Sequence, residues 1–146
     1  MMRGVYDVFI CYRGSDTKRN IVSILRGVLE SKGIKCFVDY AIESGAELLS
    51  GMIQGIWKSR LQIIVLSQGF GRSRLCLDAL VEIMNIEAPV RRVLPVFYEV
   101  EPCVVRHQKR ASPYDLSAVE GSTREDRKRW GKALHQLSHL KGYEYY

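Results

Sequence analysis

The run LQIIVLS at residues 61–67 constrains this chain more than any other stretch. It is the most apolar run in the sequence, and a strand this apolar has to be covered on both faces, as in the middle of a parallel sheet with helices above and below. The flanking sequence supplies the rest of such an architecture by alternating strand-like and helical patterns. YDVFICY (6–12) leads into a helix from about Asp16, an N-cap candidate, to Lys32, with Ile21, Ile24, Leu25, Val28 and Leu29 as its buried stripe and Gly33 as its stop. IKCFVD (34–39) reads as a second strand, YAIESGAE (40–47) as a polar loop, and Met52, Ile53, Ile56 and Trp57 as the stripe of a short helix.

Beyond the central strand, SRLCLDALVEIM (73–84) is helical and RRVLPVFYEV (91–100) is the next strand. Pro102 and Pro113 mark loops or short helical turns, and STREDRKRWGKALHQLSHL reads as a helix capped by Ser122, with Trp130, Leu134, Leu137 and Leu140 in its stripe. GYEYY closes the pattern as one last edge strand. Short connections between alternating elements imply one α/β domain over residues 1–146, joined by right-handed crossovers.

Composition narrows the function classes. With 146 residues and 47% hydrophobic content, the chain is long enough for one sizeable core. No apolar run approaches the roughly 18 to 20 residues of a membrane span, and MMRGVYDVFI has no signal-peptide pattern, so a soluble, intracellular protein is expected. Cys11, Cys36, Cys76 and Cys103 lack the paired spacing of zinc sites, and free core thiols are the expected reading. His135 and His139 stand four apart on the last helix, and His107 precedes them, but without an acidic or cysteine partner they predict no metal centre. The net charge of +6 is spread thinly, so binding of DNA or RNA is expected only as a secondary, salt-sensitive property.

The 73–84 helix carries an anomaly. Leu77, Leu80, Val81 and Met84 form its apolar stripe, which at about 100° per residue puts Leu75, Ala79 and Glu82 on the opposite side, facing outward. A small apolar residue at the middle of an outward face asks for an explanation. In parallel α/β sheets, ligands gather beyond the carboxyl ends of the strands. That edge is built here from RGSDT (13–17), YAIESGAE (40–47) and QGFGRSRL (68–75), Gly- and Ser-rich loops whose amides can approach a phosphate.

Five blocks, YDVFICYRGSDT, LESKGIKCFVD, SRLQIIVLS, SRLCLDALVEI and VLPVFYEVEPCVVR, occur in an order and spacing that resemble the Toll/interleukin-1 receptor (TIR) domain in its plant immune-receptor form. The similarity runs from Tyr6 to about Tyr143. It implies a flavodoxin-like, three-layer fold with a five-stranded parallel sheet in the order 2-1-3-4-5 and helices on both faces; one further helix, which this chain lacks, follows the last strand in the family. It also implies signalling by self-association and, in many members, cleavage of NAD or NADP at the nicotinamide–ribose bond.

The family pattern SRWCLDEL places a glutamate where this chain has Ala79 and a ring-stacking tryptophan where it has Leu75. Breaking a glycosidic bond builds positive charge on the ribose, which an aligned carboxylate stabilises. Loss of one such group costs about 10²- to 10⁴-fold in rate. Glu82 lies one turn along and is a poor substitute, because three residues of rise carry it about 4.5 Å away; Asp78 points about 100° around the helix. No confirmed catalytic residue is therefore expected, and whether the chain is an enzyme stays open. Arg13, Gly14, Gly45, Ser73 and Leu75 match the family's ligand edge. No cofactor is required, with NAD or NADP the ligand that the resemblance implies.

Cys76 matches a family cysteine linked in some members to a cyclase-like activity on nucleic acid, though a core thiol is the preferred reading. On the association surfaces the family's Ser-His pair corresponds to Ser23-Ile24, and a small glycine to Arg110, whose bulk obstructs close packing. The expected partners are other TIR domains or a second copy held weakly, without membrane, in the cytoplasm and, as a second compartment, the nucleus. Two readings follow: an interaction or regulatory module of plant immune signalling that is a degenerate NAD(P) hydrolase, or a weakly active NAD(P)+ nucleosidase that depends on assembly or on Glu82. A phosphoryl receiver is excluded because Ser67 stands where its aspartate would be, and RGSDT is not the Gly-Lys-Ser/Thr loop of a P-loop switch.

Overall fold

The computed structural model describes residues 6–14, 21–38, 49–86 and 92–146. Strand β1 spans Tyr6–Cys11, β2 Cys36–Val38, β3 Ser59–Leu66, β4 Val93–Tyr98 and β5 Tyr143–Tyr145. Between them lie helices α1 (Ser23–Ser31), α2 (Leu49–Trp57), α3 (Arg74–Met84), α4 (Pro102–His107) and α5 (Arg124–Ser138), with single 3-10 turns at Phe70–Arg72 and Leu116–Ala118. The strands form one sheet in the order β2-β1-β3-β4-β5, and every neighbouring pair is parallel. This is the flavodoxin-like arrangement, with β3 at its centre.

Successive side chains of a strand point to opposite faces, and the sheet divides the core accordingly. On one face Phe9, Cys11, Ile64, Leu66 and Phe97 pack with Ile56 of α2, Leu77 and Leu80 of α3, Val105 of α4, and Trp130 and Leu134 of α5. On the other face Val8, Ile10, Ile63, Val65 and Val96 pack with Ile21, Leu25 and Leu29 from the α1 region. The four aliphatic residues 63–66 of β3 serve both cores and are each at most 3% exposed.

The expected stripe of α1 is narrower in the structure. Ile21, Leu25 and Leu29 face the sheet, whereas Ile24 and Val28 are 67% and 50% exposed. Spacing of i, i+4, i+8 is enough to cover the short edge of the sheet that α1 reaches, and the i+3 positions turn to solvent. Gly33 ends the helix with φ +79°, where only glycine is unstrained. The Asp16 cap and the 40–47 loop lie outside the described residues.

Helix α5 starts one residue later than expected. Its N-cap is Thr123, not Ser122, because Thr123 and Asp126 close a reciprocal capping box: the Asp126 amide donates to Thr123 Oγ1 at 3.1 Å and the Thr123 amide to Asp126 Oδ2 at 3.0 Å. The Ser122 hydroxyl instead accepts from Arg127. The far edge of the sheet is thin: β5 is exposed along its length, and its Tyr145 ring stacks on Tyr98 at 5.3 Å.

The Asp126 carboxyl is held well below the ordinary carboxylate range, first by the Thr123 amide and then by the Arg129 and Arg74 guanidiniums. A carboxyl whose folded pKa lies below its unfolded value of about 3.9 stabilises the fold at neutral pH and loses that contribution as the pH falls through the acid range. Urea midpoints of the native chain should therefore drop from neutral pH to about pH 3, and Asp126→Asn should already be destabilised at neutral pH and show a shallower dependence.

Candidate functional site

The carboxyl edge of the sheet brings the loop after β1 against the loop after β3. Arg13, half-buried, donates from Nη1 to the Gly69 carbonyl at 3.1 Å, and Gly14 beside it is buried. The loop after β3 is clamped from a second side: the buried Tyr114 hydroxyl donates to the Ser67 carbonyl at 2.7 Å. Arg72 donates to the carbonyls of Asp115 and Ser112. A Cβ built on Gly71 would lie 2.6 Å from the Pro113 carbonyl oxygen and 2.8 Å from the Tyr114 ring, so only glycine fits this approach.

These contacts correct the expectation of a phosphate-cradling loop in one respect. The amides of Phe70, Arg72 and Ser73 bond to carbonyls within the turn, and the Cys76 amide bonds to Ser73 Oγ at 3.2 Å. Ser73 is thus the N-cap of α3, its side chain committed to the helix it starts. Gly45 lies outside the described residues.

Helix α3 also corrects the expected faces. Ala79 is 0% exposed and belongs to the apolar core, and Leu75 is partly buried against it, so neither lies on an outward face. The reason is that α3 packs against α2 and α5 as well as the sheet. A helix with neighbours on both flanks buries far more than its sheet-facing stripe, and Cys76, Leu77, Ala79, Leu80, Ile83 and Met84 are all buried.

The two acids near Ala79 point to opposite flanks and are both engaged. Glu82, half-buried, accepts a hydrogen bond from Trp57 Nε1 of α2 at 3.3 Å. Asp78 accepts from Trp130 Nε1 of α5 at 2.8 Å, with the Arg129 guanidinium 3.9 Å away. Arg74 lies over the Trp130 ring, 5.2 Å from its centroid, and pairs with Asp126 at 3.1 Å. Neither tryptophan contact was readable from the sequence: Trp57 and Trp130 stand 25 and 52 residues from their acids, and no spacing rule joins them.

Cys76 is buried, with Sγ 3.5 Å from the Tyr12 carbonyl oxygen. Cys11, Cys36 and Cys103 are likewise free thiols, the first two buried. Burial, and then the nearby Cys76, raise the Cys11 thiol well above its usual range, so it stays protonated and unreactive.

The chain matches the TIR domain family over residues 5–145 and belongs to it. It is 37% identical over 145 residues to the TMV resistance protein N of Nicotiana glutinosa, covering 96% of this chain and 13% of that protein. To the disease resistance protein RPV1 of Vitis rotundifolia it is 34% identical, covering 94% of this chain and 10% of that one. It therefore spans roughly an eighth or less of the length of these relatives. Among solved structures, the TIR domains of the activated Roq1 resistosome superpose with a TM-score of 0.81 at 30% identity, covering 95% of this chain and 87% of that one. The TIR domain of the Toll-related receptor TRR-2 from Hydra magnipapillata shares the fold at a TM-score of 0.52 and 21% identity, covering 93% of this chain and 100% of that one.

The clamp at Gly71 is testable. Gly71→Ala should cost about 1 to 3 kcal/mol by forcing Pro113 and Tyr114 away, read as a lowered urea midpoint.

Proposed function

We propose that the chain is a plant immune-signalling TIR domain that works as an interaction or regulatory module and does not hydrolyse NAD(P) efficiently. The reading rests on the resemblance, which aligns Ala79 with the family's glutamate, and one observation supports it: Ala79 is buried in the apolar core. An oxocarbenium-like transition state needs a negative charge close to the ribose, and neither neighbouring acid supplies it, since Glu82 is bound by Trp57 and Asp78 by Trp130. Arg13 and Gly14 remain at the carboxyl edge, so uptake of NAD or NADP without turnover fits the same reading.

Assembly supports the module role. The plant relatives named above are a TMV resistance protein and a disease resistance protein, and the Roq1 TIR domains were solved within a resistosome. On α1, Ser23 is exposed and Ile24 and Val28 form an exposed apolar pair one turn apart, where the family pattern places part of its association surface. Arg110 is also exposed. Ile24 offers area but no imidazole hydrogen bond, so association with another TIR domain or a second copy should be weak.

Two experiments test the reading. Nicotinamide release at high protein concentration should be near background for the native chain and higher for Ala79→Glu, with thermal melts to show that the buried carboxylate is tolerated. Native turnover clearly above background, no higher in Ala79→Glu and lost in Glu82→Gln, would establish the weakly active nucleosidase instead. Light scattering at tens of micromolar should show a mainly monomeric chain whose residual association disappears in Ile24→Glu; a tight tetramer would contradict the weak interface.

A further inference from the structure

The three histidines gather at the seam between α4 and α5. His135 Nδ1 lies 3.3 Å from the Arg106 carbonyl oxygen. A carbonyl only accepts, so Nδ1 carries the proton and the lone pair of the neutral ring sits on Nε2. His139, one helical turn on, places its own Nε2 3.2 Å from that atom, with the ring centroids 4.7 Å apart. Both rings are exposed.

Zinc–imidazole bonds are about 2.0 to 2.1 Å long, so two nitrogens at a tetrahedral angle around one ion stand roughly 3.3 Å apart. The separation of 3.2 Å, spanned in the metal-free protein by a hydrogen bond between the two rings, is close to that chord. The hydrogen bond from Nδ1 to a backbone carbonyl is the outer-shell contact that orients a ligating imidazole and raises its basicity. The last carbonyls of α5 add the negative end of a helix dipole, which favours a cation. Arg106 opposes it, although its guanidinium is held by the hydroxyl and carbonyl of Ser138 at 3.2 and 3.1 Å.

We propose that His135 and His139 form a two-imidazole chelate for a divalent ion of the zinc or nickel class, with water completing its coordination. Among the described residues no group of three or more His, Cys, Asp or Glu can hold a metal ion, so the site has two protein ligands and the ion is exchangeable. His107, whose ring meets His135 edge-on at 6.3 Å between centroids, is a neighbour and not a ligand. Because the His135 ring is hinged to α4 through Arg106, occupancy tightens the α4–α5 seam.

Calorimetric titration of the purified chain with zinc chloride and with nickel chloride at neutral pH tests this. One ion should bind per chain, His135→Gln and His139→Gln should each weaken binding about tenfold or more, and His107→Gln should leave it unchanged. The three side chains are exposed, and circular dichroism of each variant checks that the fold is retained. No uptake at millimolar metal, binding that survives in His139→Gln, or binding lost in Cys103→Ser with both histidines intact would overturn the proposal.

Discussion

Burial of β3 on both faces is the constraint from which the rest of the structure follows. Ile63 and Val65 serve one core while Ile64 and Leu66 serve the other, so the strand cannot lie at an edge and cannot face water on either side. Strands β1 and β4 flank it in parallel, which forces crossovers long enough to hold helices. Those crossovers deliver the loops after β1 and β3 to one end of the sheet, and the contact between Arg13 and Gly69 is a direct result.

Helix α3 shows how packing decides chemistry. A helix lying on a sheet with free flanks would turn Ala79 and Glu82 to solvent. With α2 on one side and α5 on the other, Ala79 is enclosed, and the polar groups flanking it are drawn into the lateral contacts. Trp130 brings a buried ring whose one donor needs a partner, and Asp78 provides it, while Glu82 accepts from the exposed Trp57 at 3.3 Å. An acid placed to satisfy a neighbouring indole is poorly placed to stabilise a charge developing elsewhere.

Membership of the TIR family and likeness to plant disease resistance proteins give these features a setting in signalling. A module that acts through its surfaces depends on rigid loops and on side chains left at the exterior. The loop after β3 is held by Arg13, Arg72 and Tyr114, and Ile24 and Val28 stand out from α1 without a role in the core.

The sequence by itself determined the strand and helix alternation, the centrality of LQIIVLS and the stop at Gly33, because each rests on local periodicity or on residues in a fixed order. Periodicity reports one buried face per element. It could not show that α3 is covered on its flanks, that Ile24 and Val28 are exposed, that the cap of α5 is Thr123, or that Glu82 and Asp78 answer to distant tryptophans. Those features depend on which elements become neighbours in space. Only the tertiary structure decides that, since burial and hydrogen bonding depend on spatial neighbours and not on sequence distance.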